Sequence, residues 1–409
     1  MKLSQRVARI KPSATLSINA KAKALAKQGI RIINFGVGEP DFDTPEYIRE
    51  AAVDAIRRGH TRYTAVGGID ELKDAVLEMI RNEYGLTYGR ENVLVSCGGK
   101  HALYNLFQAL LDPGDEVIIP SPFWVSYPDM VELADGKPVF VECPESLGFK
   151  LRAQDLEKAI TPRTRLLIWN SPSNPTGVHY RRSDMEPIAQ VLLKHEHVAV
   201  VSDDIYCRIL FGDHEWCNLP MVEGRLKDRT FIVNGVSKTY CMTGWRIGYL
   251  VGDRDAVRAA TDIQSQSTSN PTSIAQCASA AALRDHESEI RSMVREFESR
   301  SRYVLKRLLE IPGVSCPQPD GAFYVFPNFG HYLGRKYGGK VIRDSGELAQ
   351  YLLEQAHLAV VPGGAFGEDR CLRLSYALYM KDLEEGFNRL EKALAALEDE
   401  SVACRLSGE

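Results

Sequence analysis

The segment HVAVVSDDIY, residues 197–206, decides the fold class of this chain. It begins as an apolar, β-branched run of the length of a buried strand and ends abruptly in carboxylates. Similar short apolar runs, separated by helical patterns, occur at residues 92–96, 116–120, 138–142, 164–169, 230–234 and 247–251. Continuous apolar strands that alternate with helices predict a mostly parallel sheet covered by helices on both faces.

The two ends of the chain have a different character. Residues 287–309 show the pattern of a long charged amphipathic helix. Shorter elements are predicted at 18–28, 31–35, 323–326, 359–361, 372–376 and 381–397. We expect both ends to form one small α+β domain beside a large α/β domain with a seven-stranded sheet. The predicted boundaries give an N-terminal arm and part of the small domain at 1–45, the large domain at 46–289, and the rest of the small domain at 290–409.

Composition narrows the class of protein. The chain has 409 residues, enough for two domains, and a formal net charge of −4, which gives no reason to expect nucleic acid or an anionic membrane as a partner. The nine cysteines include no Cys-x-x-Cys pair, which favours reduced thiols over a disulfide framework. The first ten residues lack the apolar centre of a signal peptide, and no apolar run is long enough to span a membrane. We expect a cytoplasmic protein without a metal site.

Polar signals follow several of the predicted strands, at the edge where sites of such sheets lie. The turn SCGGK, residues 96–100, could present free backbone amides to a phosphate, and could equally be a plain strand-to-helix turn. Trp124 could pack in the core or cover a flat ring. Asn174, in the turn-rich run NSPSNPTG at 170–177, could donate to a ring oxygen or lie in a surface loop.

A carboxylate, an amine and two guanidinium groups complete the set of candidate site residues. Asp203 ends a buried strand, where it needs a cationic partner such as a protonated ring nitrogen, and the neighbouring Asp204 is a natural helix cap. Lys238 stands in a run poor in other charges, as an amine nucleophile must. Arg246 could hold a phosphate, and Arg373, inside an apolar strand, could grip a carboxylate or form an internal ion pair.

Taken together and in this order, these residues resemble the fold-type I pyridoxal-phosphate enzymes. The resemblance is closest to bacterial class I aspartate aminotransferases of the subgroup without a dedicated arginine for the distal carboxylate. Its most specific block is SKTYCMTGWRIG at 237–248. It covers nearly the whole chain, through KPSAT at 11–15, GEPDFDTP at 38–45, PSNPTG at 172–177, DDIY at 203–206 and RLS at 373–375.

The resemblance implies a binding site for pyridoxal 5′-phosphate in the large domain. Lys238 would bind the cofactor and move a proton at the substrate Cα, and Asp203 would keep the pyridine nitrogen protonated. The implied ring and phosphate contacts are Asn174 and Tyr206 at the ring oxygen, Trp124 and Ile205 on the ring faces, and Gly99, Lys100, Ser237 and Arg246 at the phosphate.

It also implies a substrate site and a homodimer with shared active sites. Tyr63 would reach the phosphate of the neighbouring subunit. The implied substrate contacts are Arg373, the Gly38 amide and Asn174 at the α-carboxylate, Thr15 and the Lys100 side chain at a distal carboxylate, and Trp124 and Phe323 as walls. The implied reaction moves an amino group from aspartate, as first choice, to 2-oxoglutarate.

Departures from the pattern leave alternatives open. Gly235 stands where some relatives carry Ser, Cys241 replaces the usual Ala, and Cys207 and Arg208 replace an acidic residue and a His. Cys241 leaves the substrate preference open to aromatic amino acids or prephenate. A same-fold β-lyase or racemase would share most of these motifs. A ligand-sensing regulator of this fold would need an added DNA-binding domain, for which we expect no room.

Overall fold

The computed structural model describes residues 3–10, 14–284 and 287–398. The strands in chain order are β1 (Ile33–Asn34), β2 (Val93–Ser96), β3 (Glu116–Ser121), β4 (Lys137–Glu142), β5 (Thr164–Asn170), β6 (Ala199–Asp203), β7 (Thr230–Gly235), β8 (Gly248–Val251), β9 (Tyr324–Val325), β10 (Lys336–Tyr337), β11 (Lys340–Val341), β12 (Leu358–Ala359), β13 (Val361–Pro362) and β14 (Leu372–Ser375).

The helices alternate with these strands. They are α1 (Gln5–Arg9), α2 (Ala14–Lys27), α3 (Glu46–Arg57), α4 (Asp70–Met79), α5 (Gly99–Leu110), α6 (Ser126–Leu133), α7 (Ala153–Ala159), α8 (Arg182–Lys194), α9 (Leu219–Val222), α10 (Arg254–Ser267), α11 (Ser273–Ala282), α12 (Glu287–Glu310), α13 (Ser345–Ala356) and α14 (Met380–Ala395). None of the described helices is long and apolar enough to cross a membrane.

The large sheet has seven strands in the order β2-β8-β7-β6-β5-β3-β4. All neighbouring pairs are parallel except those of β8, which runs antiparallel to both β2 and β7. The register places Asn170 opposite Asp203, so two polar strand ends meet at one edge. The predicted fold class is confirmed, and the structure adds that β8 is the reversed strand, which the apolar run alone does not reveal.

Helices cover the sheet on both faces because side chains alternate along each strand. Leu94 and Val201 belong to the cluster that contains α5, α6 and α10. On the other face, Val95 packs with α3, α4 and α11, and Val200 packs with α7 and α8. The strands are therefore buried on both sides, as their continuous apolar sequences require.

The two ends of the chain meet in a second core. β1 pairs in parallel with β12, and β13, β14 and β9 form a three-stranded antiparallel sheet. Ile33 and Phe35 join the apolar cluster of α12, α13 and α14. The single strand predicted at 359–361 is two short strands here, β12 and β13, which pair with different partners. The domain boundaries at residues 45 and 289 stay predictions.

Candidate active site

A cavity of about 460 Å³ opens at the edge where β5, β6 and β7 end. It brings together most residues singled out from the sequence, although they are distant along the chain. The predicted residues that line it are Gly38, Gly99, Lys100, Trp124, Asn174, Asp203, Ile205, Tyr206, Ser237, Lys238, Arg246 and Arg373. This convergence makes the cavity the candidate active site.

Lys238 is held in this cavity just beyond the end of β7. Its Nζ donates to the carbonyl oxygen of Gly38, which belongs to the segment that follows β1. Burial lowers the pKa of Lys238 to about 8, and the positive charge of Arg373 acts in the same direction. An amine with this pKa is partly neutral near physiological pH, so it can act as a nucleophile or base.

Asp203, the last residue of β6, is buried in the lining of the same cavity as Lys238. Its Oδ2 accepts a 2.7 Å hydrogen bond from the hydroxyl of Tyr127, a residue of α6 that the sequence analysis did not select. Burial raises the pKa of Asp203 to about 6, against the opposing effects of Tyr127, the Ile205 amide and Lys238. A carboxylate in this environment gains most from a cationic partner in the cavity.

The neighbouring Asp204 differs from its expected role as a helix cap. It is buried behind the site, where it accepts hydrogen bonds from Ser202 Oγ at 2.6 Å and from Asn218 Nδ2 at 3.1 Å. No helix begins at Asp204, because residues 205–208 form a turn. Burial raises the pKa of this carboxyl to about 7. The cap prediction was wrong, while Asp203 does line the cavity as expected.

The turn between β2 and α5 forms another wall. Gly98 adopts a φ of +90°, and a Cβ there would lie 2.4 Å from the Arg246 guanidinium. Glycine is therefore required for Arg246 to approach the start of α5. The first amides of a helix, here those of Gly99 and Lys100, have no partner within the helix and attract anions. Arg246 and these amides together form an anion-binding corner.

Arg373, on β14, also lines the cavity and is 2% exposed. It donates to the carbonyl oxygen of Gly36 at 2.8 Å and to Asn174 Oδ1 at 3.2 Å, and its Nε has no hydrogen-bond partner in the described part of the chain. Among the described residues no carboxylate lies within ion-pair distance of this guanidinium, and burial lowers its pKa. The internal ion pair considered from the sequence is thus absent from the described residues, and the buried cation is available for an external carboxylate.

Aromatic groups hold Arg373 in place. Its guanidinium lies 4.6 Å from the ring centre of Tyr324 and 5.2 Å from that of Phe366. The Tyr324 hydroxyl lies 3.0 Å from the hydroxyl of Tyr206, which lines the cavity near Asp203. Tyr324 and Tyr206 therefore form a chain of contacts that leads from Arg373 toward Asp203.

Asn174 is positioned by its own loop. Its backbone amide donates to Asn170 Oδ1 at 3.0 Å, and Asn170 Nδ2 donates to the carbonyl oxygen of Asp203 at 2.8 Å. Because Oδ1 of Asn174 accepts from Arg373, its Nδ2 remains as a donor. Asn170, for which the sequence predicted no separate role, thus links the loop to the strand that ends in Asp203.

Trp124 contributes a flat aromatic surface to the cavity lining. Its ring meets that of Tyr127 edge to face at a centroid distance of 5.3 Å, and Lys100 Nζ lies 4.9 Å from its ring centre. Burial lowers the pKa of Lys100, and the nearby Arg246 contributes in the same direction. The ammonium group of Lys100 therefore lies in the cavity beside the Trp124 ring.

The segment that follows β1 closes the site over these groups. Besides the bond from Lys238 to Gly38, Thr243 Oγ1 donates to Glu39 Oε2 at 2.8 Å, and Thr44 Oγ1 donates to the carbonyl oxygen of Cys241. Glu39 and Thr243 line the cavity and were not selected from the sequence. The fixed geometry of this segment depends on contacts between residues about 200 positions apart, for which a single sequence contains no local signal.

Two predicted residues, Phe323 and Tyr63, do not belong to the cavity lining. Phe323 is fully buried, with its ring packed edge to face against Tyr206, and the adjacent Tyr324 forms the wall instead. Tyr63 is 91% exposed on the segment between α3 and α4. The side chain of Thr15 lies outside the described residues. The ring centre of Phe323 nevertheless lies 5.9 Å from Lys238 Nζ, so its assignment as a wall of the substrate site stays a prediction.

The departures noted in the sequence lie behind the cavity. Cys241 is half-buried with its Sγ 3.4 Å from Met293 Sδ, and Arg208 pairs with Glu83 and the Tyr240 hydroxyl. Neither Cys241 nor Arg208 belongs to the cavity lining. Gly235 packs against the backbone of β8, where a Cβ would come within 2.8 Å of the Ile247 carbonyl oxygen.

Residues 30–390 match the model of the family described as aminotransferase class I and II. A Rickettsia felis protein named probable aspartate/prephenate aminotransferase is 48% identical over 408 residues, which are 100% of this chain and 99% of that protein.

Solved structures with the same fold agree. A crystal structure of the aspartate aminotransferase from Rhizobium meliloti superposes with a TM-score of 0.94 at 45% identity, covering 97% of this chain and 100% of that one. The Thermus thermophilus aspartate aminotransferase with maleate superposes with a TM-score of 0.90 at 40% identity, covering 96% of this chain and 100% of that one.

Proposed function

The chain belongs to the aminotransferase class I and II family, and we propose that it transfers the amino group of aspartate, as first choice, to a 2-oxo acid, with 2-oxoglutarate as first choice. One observation carries the proposal. A single cavity contains an amine of lowered pKa, Lys238, a buried acid, Asp203, and a buried guanidinium, Arg373, which pairs with no carboxylate of the described residues. These are the groups needed to exchange an amino group on a molecule that carries a carboxylate.

Pyridoxal 5′-phosphate is the cofactor that we assign to this cavity. The anion-binding corner at Gly99, Lys100 and Arg246 fits its phosphate, with Ser237 as a further donor. Asp203, which lacks a cationic partner at hydrogen-bond distance among the described residues, fits its protonated ring nitrogen. Trp124 and Ile205 offer two faces between which a flat ring can lie.

When bound, this cofactor supplies an aldehyde that exchanges for the amino group and a ring that draws electrons from the substrate Cα. Lys238 would hold the cofactor through Nζ, and once freed by the substrate the same amine would remove the proton at the substrate Cα. Its pKa of about 8 leaves a usable neutral fraction near pH 7. Before the cofactor is bound, this amine donates to the carbonyl oxygen of Gly38.

Other side chains orient the ring and hold its charge. Asp203 keeps a proton on the ring nitrogen, because a buried carboxylate favours a positive neighbour. Asn174 Nδ2 and the Tyr206 hydroxyl donate to the ring oxygen. Tyr206 has a pKa raised well above its usual value by burial, so it stays protonated and able to donate.

The substrate lies between Arg373 and the cavity mouth in this proposal. The α-carboxylate takes the free donor positions of Arg373 and the backbone amide of Gly38, and Asn174 assists. The distal carboxylate meets Lys100 Nζ, with Thr15 as the second group. Maleate, named with the Thermus thermophilus structure, is also a compact molecule with two carboxylates.

We also propose a homodimer with shared sites in the cytoplasm. Tyr63, at 91% exposure, is the group that reaches the phosphate in the neighbouring subunit. A large aromatic side chain held in solvent on an ordered segment is typical of a residue that serves an interface. The free cysteines among the described residues fit a reducing compartment.

Prephenate is the second candidate substrate. The printed name of the Rickettsia felis relative includes it, and prephenate shares with aspartate a second carboxylate. Lys100 has a flexible stem, so it can follow a carboxylate to different distances from Arg373, where a fixed arginine fork could not.

A panel of donors and acceptors tests both substrates. Aspartate should shift the absorbance of the cofactor-loaded enzyme, and 2-oxoglutarate or prephenate should restore it with formation of the matching amino acid. A shift with alanine or phenylalanine but not with aspartate would overturn the substrate assignment and keep the reaction class. Release of ammonia and pyruvate without any acceptor would instead indicate a lyase.

A further inference from the structure

The segment of residues 60–69, between α3 and α4, carries the exposed Tyr63 and is firmly attached to the protein. Ser273 Oγ donates to the carbonyl oxygen of His60 at 2.7 Å, so the segment is fixed at its start. Gln276 Nε2 donates to Thr64 Oγ1 at 3.2 Å. Tyr63 therefore lies between two fixed points, and its exposure does not come from a loosely held loop.

A second buried glutamine holds the far side of this segment. Gln264, on α10, is fully buried and donates through Nε2 to the carbonyl oxygen of Val66 at 2.9 Å. The same Nε2 donates to the carbonyl oxygen of Val95 in β2 at 2.8 Å. One amide group thus joins the Tyr63 segment to the strand beside it.

The side-chain oxygen of Gln264 links this segment to the elements that form the anion-binding corner. Oε1 accepts from Ser96 Oγ at 2.7 Å and from Asn105 Nδ2 at 2.9 Å. Ser96 is the last residue of β2 and directly precedes the turn at 97–98, while Asn105 lies on α5, whose first amides form the corner. All four hydrogen-bonding positions of the Gln264 amide are therefore used, two on each side.

Backbone contacts make the junction stiff. The Val95 amide donates to the carbonyl oxygen of Gly67 at 3.0 Å. Gly68 adopts a φ of +105°, and a Cβ there would lie 2.5 Å from Val95 Cγ2. The Tyr63 segment and the end of β2 are thus packed closely enough to move as one body.

We propose that Gln264 is a positioning residue that fixes the position of Tyr63 relative to the anion-binding corner of its own subunit. The inference rests on the proposed function, in which Tyr63 enters the neighbouring site. The two elements that Gln264 joins then serve two different cofactors, one in each subunit of the dimer. The four hydrogen bonds of the buried Gln264 amide fix the spacing between the Tyr63 segment and the anion-binding corner. Each subunit therefore places Tyr63 where the active site of the neighbouring subunit requires it.

The test is the substitution Gln264→Leu, which keeps much of the volume and removes all four hydrogen bonds. We expect the dissociation constant of pyridoxal phosphate to rise about tenfold, while kcat at saturating cofactor changes about twofold or less. Gln266→Leu is the matched control, because Gln266 lies on the same helix with an exposed side chain, and it should leave both values unchanged. Ser96→Ala, which removes one hydroxyl, serves as a milder variant if the leucine variant does not fold.

A double-mutant cycle with Tyr63→Phe separates a positioning role from a general structural one. If Gln264 acts through Tyr63, the effect of Gln264→Leu on cofactor dissociation shrinks to about twofold or less in the Tyr63→Phe background. Equal effects in both backgrounds, or none in either, would overturn the inference and leave the shared site intact. No effect of Tyr63→Phe alone would instead overturn the shared site of the proposed function, and the inference with it.

Discussion

The hydroxyl of Tyr127 lies 2.7 Å from Oδ2 of Asp203 and donates a hydrogen bond to it. The same tyrosine packs edge to face against Trp124, so Tyr127 contacts both the buried carboxylate and the aromatic wall of the cavity. Because Tyr127 is 2% exposed and its pKa is raised by burial, it remains a donor at all physiological pH values.

Tyr127→Phe should weaken catalysis without abolishing it. Loss of one hydrogen bond to the carboxylate raises the pKa of Asp203 further and loosens its orientation, and we expect kcat/KM to fall about tenfold. The pH at which the absorbance of the bound cofactor titrates should shift as well. Tyr379→Phe, at an exposed position, is the control. An unchanged titration would mean that Tyr127 only fills space.

Lys238→Ala should abolish transamination. The variant lacks the nucleophile and the base, and a loss of about 10⁴-fold or more in kcat is expected from removing a positioned proton-transfer group. Activity with aspartate and 2-oxoglutarate is the measurement, with Lys194→Ala as an exposed control. Turnover at the parental rate would show that another residue does the chemistry.

Arg373→Lys should raise the KM for aspartate by about 50-fold or more, because an ammonium group cannot form the paired hydrogen bonds of a guanidinium. The effect on kcat should be smaller. Arg302→Lys on the exposed face of α12 is the matched control. A fall in kcat with unchanged KM would place the α-carboxylate elsewhere in the cavity.

Capture of pyridoxal phosphate by the cofactor-free protein should depend on pH. Only the neutral amine of Lys238 reacts, so the rate should be constant above its pKa of about 8 and decline below it. Stopped-flow absorbance would measure this, with N-acetyl-lysine as reference. A rate that keeps rising toward the ordinary lysine value of 10.5 would contradict the lowered pKa.

Cys241→Ala should leave substrate preference unchanged. The thiol contacts Met293 behind the cavity, so its removal affects packing rather than recognition. We expect kcat/KM values for aspartate and phenylalanine within about twofold of the parent and a loss of about 1 kcal/mol or less in the free energy of unfolding. A changed ratio of the two substrates would show that the thiol acts on the pocket.

Much of the fold follows from local pattern. The seven strands of the large sheet were predicted because each is a short apolar run bounded by polar turns, and buried parallel strands require that composition. The direction of β8 was not predicted, because an apolar run of four residues is compatible with either orientation. The break between β12 and β13 depends on which partner each pairs with, which is set by the tertiary structure.

The site divides in the same way. Residues in dense local motifs, such as Lys238 and Arg246, were selected from the sequence and line one cavity. Tyr127 was missed because a tyrosine inside an amphipathic helix has the pattern of a core residue. Asp204 was misjudged as a cap, since two adjacent carboxylates do not reveal which of them meets buried donors.

The pairing of β1 with β12 has a consequence for synthesis of the protein. The strands of the large sheet emerge from the ribosome early and can associate while translation continues. The partner of β1 and the strand bearing Arg373 emerge only after all seven strands of the large sheet. A nascent chain can therefore form the corner at Gly99, Lys100 and Arg246 before the buried guanidinium of Arg373 is in place.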